Sequence, residues 1–434
     1  MVVLGLLGCD DGASDGATDA GGGADVGASS SLALAVEGAP ESAAAGSEVA
    51  LRVRLTTGSG EPAGGLALEA EIKLGGGSAA GATTAADGTA EIRWQLGAAP
   101  VAQRLRVGIG PAAQEIQLVA TAAAEPPTAT PLGDVPGWLA AEGIAGSTED
   151  LEFLGGDLIL GIPGGLVRLD PEGQIERVDL TGEALGKPLG IAADRNGNLW
   201  IADAGANALV KVDAAGAVTT ALTQVGETPL EGPNYVAVGP DDKVYLSDPC
   251  LGLLIRFDPA TGTADATHLF DRATEGGPNG FAFEGDTLWV VTENTVLTCG
   301  QAGIAAIDAP LAGLFRIPIT AAGFGERAAV ATGVGVFGDG VAIDAEHNVY
   351  VILDQVANLM LAESAVWVLP AGGNALQKCL VADGVLYANL AFGQGHFPAD
   401  TLYVSLLSVP PFAGATSRGV HSFPLGIPGL DLLP

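Results

Sequence analysis

The chain has 434 residues, of which 48% are hydrophobic and only 5% aromatic, with 65 glycines and 26 prolines. Its 51 Asp and Glu outweigh 18 Lys and Arg, giving a formal charge of −33. No nucleic-acid partner is expected, because phosphate contacts need clustered cations. The length exceeds what one core usually organises, so two or more domains are expected; an acidic surface also favours cations such as Ca2+.

At the start, the run Leu6-Leu7-Gly8-Cys9 resembles the lipobox of bacterial lipoprotein signal peptides. The resemblance implies that residues 1–9 are a signal remnant and that Cys9 is lipidated. It places the chain as an exported, membrane-anchored lipoprotein of the bacterial cell envelope. Residues 10–30 are almost all Gly, Ala, Ser and Asp, and such a segment orders no core, so it reads as a flexible tether. No later stretch is long and apolar enough to span a membrane, so membrane contact is expected only through the N-terminal lipid.

Residues 31–123 alternate apolar and polar positions in short runs such as Val49–Leu55 and Leu66–Ile72, separated by turns such as Gly58-Ser-Gly-Glu-Pro62. This period of two predicts a β-sandwich. The passage through Ala85-Ala-Asp-Gly-Thr-Ala-Glu-Ile92 resembles bacterial Ig-like domains of the invasin type, which implies a spacer. Residues 124–136, with Pro126, Pro127, Pro131 and Pro136, read as a semi-rigid linker.

From residue 137 to 434 a unit of short strands recurs. Its copies include Pro188–Asp203, Pro233–Asp248, Pro278–Val290 and Gly338–Val351, flanked by less regular ones at Glu149–Leu160 and from Ala388. No copy buries both faces alone, so six copies predict a closed, six-bladed β-propeller. The fold class is therefore all-β, a six-bladed propeller behind an N-terminal Ig-like β-sandwich, with a monomer expected. Cys250 and Cys299 both follow second strands of neighbouring blades and are the expected disulfide, leaving Cys379 free. No Cys-x-x-Cys pair and no Gly-x-Ser-x-Gly elbow occurs, which argues against a zinc site and a serine-hydrolase nucleophile.

Residues that start each innermost strand meet at one mouth of a propeller's axis. In the six copies these are read as Glu149, Leu189, Asn234, Asn279, Asp339 and Asn389. Carboxylate and amide oxygens without sulfur or imidazole are the donors Ca2+ takes. Glu149, Asn234, Asn279 and Asp339 are the predicted ligands of one axial calcium. Lys187, Tyr235 and Glu293, from adjoining loops, are candidate substrate-mouth residues.

The contexts Pro-Asn-Tyr-Val-Ala-Val, Pro-Asn-Gly-Phe-Ala-Phe and Asp-Gly-Val-Ala-Ile around Asn234, Asn279 and Asp339 resemble metal-ligand motifs of the gluconolactonase and senescence-marker-protein family. Gly146–Phe153 is similar to a paraoxonase stretch in which adjacent Glu and Asp contact calcium. The resemblance implies a calcium-dependent lactonase or esterase acting on a small lactone or ester, with Asp339 as ligand and general base. It also implies Glu149 as a ligand and Asp150 as a ligand of a second calcium. Paraoxonases carry a His where this chain has Leu189, so a histidine mechanism is not expected. The alternative is a non-catalytic, calcium-containing binding or scaffold propeller on a surface tether.

Overall fold

The computed structural model describes residues 31–123, 127–146, 148–296, 298–299, 308–357, 360–382, 384–407 and 419–430. Cys9 and the 10–30 segment lie outside the described residues.

From residue 151 onward, short strands form six main sheets, besides a small ribbon of Gln224–Val225 and Thr228–Pro229. In each main sheet the chain runs from the innermost strand outward, with Thr181–Gly182 added at the outer edge of the second from the chain before it. The innermost strands are Leu151–Leu154, Pro188–Ala193, Val236–Val238, Gly277–Glu284, Phe337–Ile343 and Leu386–Phe392. Each contacts the next, and the last returns to the first, so the sheets are blades 1 to 6 of a closed ring. Alternation explains the strands locally: one face of each blade packs on the preceding blade and the other on the following one. Six apolar clusters result, each between two successive blades. Trp200 of blade 2, for example, meets Phe257 of blade 3 edge-on at 5.9 Å.

Residues 124–136 do more than link. Thr130–Pro131 pairs antiparallel with Gly419–Pro424 as the outermost strand of blade 6. The last blade is thus completed by chain that precedes the first, which fastens the ring. Pro131 is tolerated because it lies on an edge, where one side of the strand needs no donor. A helix follows at Val135–Ala141, capped by Asp134 with Pro136 in its first turn, and it buries Val135 and Leu139 between blades 6 and 1. The proline spacing that suggests a linker equally suits an edge strand and a helix start.

Residues 32–121 form two sheets. One has Leu32–Glu37, Glu48–Thr57, Thr89–Leu96 and Gly77–Ala79; the other includes Ala67–Leu74, Ala102–Ile109 and Ala112–Thr121. Their inward residues, among them Leu51, Val53, Trp94, Leu105 and Leu118, share one buried cluster. These sheets do not stand free of the propeller. Ala99 and Val101 join the cluster between blades 5 and 6, alongside Leu425 and Ile427. Both carboxylate oxygens of Glu346, in the turn after the innermost strand of blade 5, accept the Gly75 N–H, at 2.9 and 3.0 Å. The contact therefore lies at the end of the ring where innermost strands finish. There residues 425–430 also cross from blade 6 to blade 5, with Leu430 N–H donating to the Ile343 carbonyl.

Candidate metal centre

At the opposite end, the innermost strands begin, and there they bulge. Pairing with the second strand skips one or two residues between Pro188 and Gly190, Pro278 and Phe281, Gly338 and Val341, and Tyr387 and Leu390. Bulges re-aim side chains that regular pleating would send between blades. The skipped residues are those predicted for the ring: Leu189, Asn279 and Asp339. Glu149 and Asn234 occupy the matching positions of blades 1 and 3, and both are buried.

Blade 6 departs from the sequence reading. Its bulge spans Ala388 and Asn389, and alignment of Ala391 with Ala282 and Ala342 puts Ala388 in the ring and Asn389 one residue deeper. Asn389 Nδ2 accordingly donates to Asp150 Oδ1. Asp150, expected to hold a second ion, has its oxygens engaged by the backbone N–H groups of Leu151 at 2.7 Å and Ile191 at 2.5 Å as well as by Asn389. It ties blades 1, 2 and 6 together. Tyr235 also belongs to this deeper layer: it lines the axial cavity and meets Phe281 edge-on at 4.9 Å, beneath the ring rather than at the outer mouth.

In the same layer blades 2, 4 and 5 carry Gly190, Gly280 and Gly340. A Cβ on Gly280 would overlap the Asp339 carbonyl oxygen and lie 2.9 Å from Gly340 Cα; on Gly340 it would lie 2.9 Å from Asn389 Cα. Only glycine lets successive innermost strands approach this closely, and the approach gathers the ring residues.

Five carboxyls surround this end of the axis, and burial raises the pKa of every one. Asp339 is pushed well above the carboxylate range by desolvation, then by the charges of Glu149 and Asp354. Glu149 is raised by desolvation and opposed by Lys187, whose Nζ lies 4.0 Å from Glu149 Oε2. Glu293 is raised to about 8 by burial, opposed by hydrogen bonds from Thr298 and Asn279. Asp354, at the place in blade 5 that Glu293 holds in blade 4, is also raised to about 8 by burial. Asp150 is raised by desolvation, against its backbone hydrogen bonds.

The surrounding loops fix these groups. Asp203 accepts the N–H groups of Gly186, Lys187, Gly205 and Ala206, which sets the Lys187 loop. Thr298 donates to Glu293 Oε1 at 3.2 Å, and the adjoining Cys299 is disulfide-bonded to Cys250. Cys379 is free and buried. Asp354 escapes the sequence reading, although its run Val349–Asp354 aligns with Leu288–Glu293 residue for residue.

Do these residues suit calcium? Among the described residues no three His, Cys, Asp or Glu side chains gather as a ready metal cluster. The ring instead offers two carboxylates and two amides. One of those amides, Asn279, is 3% exposed, and its Oδ1 is buried without a hydrogen-bond partner. A buried acceptor left unpaired is unfavourable by about 1–3 kcal/mol, and crowded buried carboxyls repel one another's ionisation. A hard cation would relieve both, so the donor set fits one. Below the floor lies an axial cavity of about 530 Å³, lined by Ala192, Ala237, Ala282, Ala342 and Ala391 of blades 2 to 6 and by Glu152 of blade 1.

No protein-family model matches the chain, and no curated protein matches it in sequence. Solved structures do match in fold. A gluconolactonase from Xanthomonas campestris is 16% identical, with a TM-score of 0.50 over 70% of this chain and 95% of that one. A structural-genomics protein described as a gluconolactonase is 19% identical, with a TM-score of 0.50 over 70% and 94%. Virginiamycin B lyase from Staphylococcus aureus aligns over 82% of this chain at 13% identity, but its TM-score of 0.42 adds no argument. The chain thus shares the propeller fold of the gluconolactonases.

Proposed function

We propose that the chain is a calcium-dependent hydrolase of a small lactone or ester. The observation that carries this reading is the unpartnered Asn279 Oδ1, buried in a ring whose other donors are Glu149, Asn234 and Asp339. Calcium held by these four would supply Lewis-acid stabilisation of charge developing on a carbonyl oxygen. Asp339 accepts a proton from the attacking water at a carboxylate oxygen. Lys187, half-exposed beside Glu149, orients an oxygen-rich substrate, and Glu293 holds Asn279 in place. Tyr235, Asn389 and Asp150 close the floor and keep solvent of the axial cavity from the reacting atoms.

The N-terminal sheets are read as an Ig-like spacer, and the segment around Cys9 as a lipid anchor that displays the propeller on the cell envelope. The second reading is a calcium-containing binding propeller without catalysis. Leu189, a buried apolar side chain in the ring position of blade 2, favours it, because that position offers no further acid or base.

The test is metal analysis after dialysis against calcium, together with turnover of a lactone and ester panel. The hydrolase reading expects one bound calcium per chain and calcium-dependent turnover abolished in Asp339→Ala, with the fold kept. Calcium binding without turnover across the panel would leave the binder; no bound calcium would refute both.

A further inference from the structure

A second cleft, of about 460 Å³, lies on the loop that leads from blade 3 into the innermost strand of blade 4. Three cationic or acidic side chains there are already matched. Arg327 Nη2 meets both oxygens of Glu275 at 2.5 Å, its Nη1 donates to the Leu269 carbonyl at 2.8 Å, and its guanidinium lies 4.7 Å from the Phe270 ring centre. Asp271 accepts from Ala273 N–H and Thr274 Oγ1, both at 3.0 Å. Arg272 is different. Its Nη1 is buried and has no hydrogen-bond partner, and no ion pair forms with it among the described residues.

Two features make this unmatched cation a site. A buried guanidinium nitrogen without an acceptor is costly, and in a chain with a formal charge of −33 carboxylates to pair with it are abundant elsewhere. Beside it stands Leu269, one of only three large hydrophobics counted as exposed among the described residues, at 64%. Leu251 completes the apolar wall. The charge balance also selects the ligand. Arg272 and Arg327 stand against Asp271 and Glu275, a lining of zero net charge, so one charge is accommodated more readily than two, and the Arg272 fork matches a planar carboxylate.

We propose that this cleft binds an amphiphilic monocarboxylate, its head on Arg272 and its apolar chain along Leu269 and Leu251. The ring at the propeller axis plays no part in it, so the inference stands or falls independently of the proposed hydrolase.

Octanoate is the probe, titrated calorimetrically into the full chain at low and high salt. One site is expected, weakened by salt and weakened about tenfold or more in Arg272→Gln, the effect of losing one charge-assisted hydrogen bond. Leu269→Ser should weaken octanoate but leave acetate unchanged. Arg195→Gln, at a surface pair with Asp242 far along the chain from this cleft, should bind as wild type does. Three results would overturn the proposal: no octanoate uptake by the wild type, undiminished uptake by folded Arg272→Gln, or inorganic phosphate binding as tightly as octanoate.

Discussion

Gly280→Ala isolates the claim that close strand approach builds the ring. Gly280 has no left-handed backbone, so alanine suits its conformation, and the only obstacle is contact. The new Cβ would overlap the Asp339 carbonyl oxygen and stand 2.9 Å from the Asp339 carbonyl carbon and Gly340 Cα. All three are backbone atoms of a strand pinned in its own blade, so no side chain can swing aside. Overpacking of this kind destabilises by about 2–3 kcal/mol, or about 2–3 °C in a protein of this size. Gly165→Ala is the control, since its Cβ would meet nothing nearer than Arg177 Nη1 at 3.9 Å, and an unobstructed change of this kind stays within about 0.5 kcal/mol. Melting followed by circular dichroism reads the difference, and calcium titration reads displacement of Asp339. If both variants melt with the wild type, the glycines are not spacers and the account of the ring's convergence fails.

Other perturbations test the remaining architecture. Burial raises Glu152 from its ordinary 4.5 to about 8; a raised acid stabilises the fold fully below its unfolded pKa and loses that contribution as pH rises through the folded one. Melting in chelator should therefore fall between pH 4.5 and 8, and Glu152→Gln should lessen that decline by one group's share, leaving the part due to Glu293 and Asp354; an unchanged slope would remove Glu152 as a source. Cys250→Ser opens a link across 49 residues, which chain entropy values at about 4 kcal/mol, so the urea midpoint should drop, whereas an unaltered midpoint would mean the link adds nothing. Val101→Asp puts a charge into the cluster between the N-terminal sheets and blades 5 and 6. It should split one calorimetric transition into two, and a single transition at lower temperature would show that cohesion comes from elsewhere.

The blades were legible because each repeat writes its own local pattern: an apolar run, a polar turn, a second run. The ring was legible for a related reason, as Asn279 and Asp339 sit at equal offsets from that pattern. Asn389 misleads because a bulge is a choice of pairing, and nothing in Ala388-Asn389-Leu390 says which residue the second strand will skip. Closure by Thr130–Pro131 was hidden since its partner lies some 290 residues away, and prolines there look like a linker. Glycine follows the ring residue in blades 2, 4 and 5, but its purpose depends on the neighbouring blade's backbone. Asp354 lies past the recurring Gly338–Val351 pattern, farther along the second strand of blade 5, where the repeat has less regular spacing to mark it.

The grip of the N-terminal sheets on the propeller has a mechanical consequence. Glu346 and the apolar cluster around Val101 join the two parts in parallel with the chain that runs through residues 124–129. Tension arriving from the N-terminus is therefore carried by that broad contact before it reaches the two-residue strand that fastens the ring. A short closing strand, weak if peeled from one end, is shielded from load. The same contact sits at the end of the axis away from Glu149 and Asp339, so the load enters the propeller on the side opposite the ring.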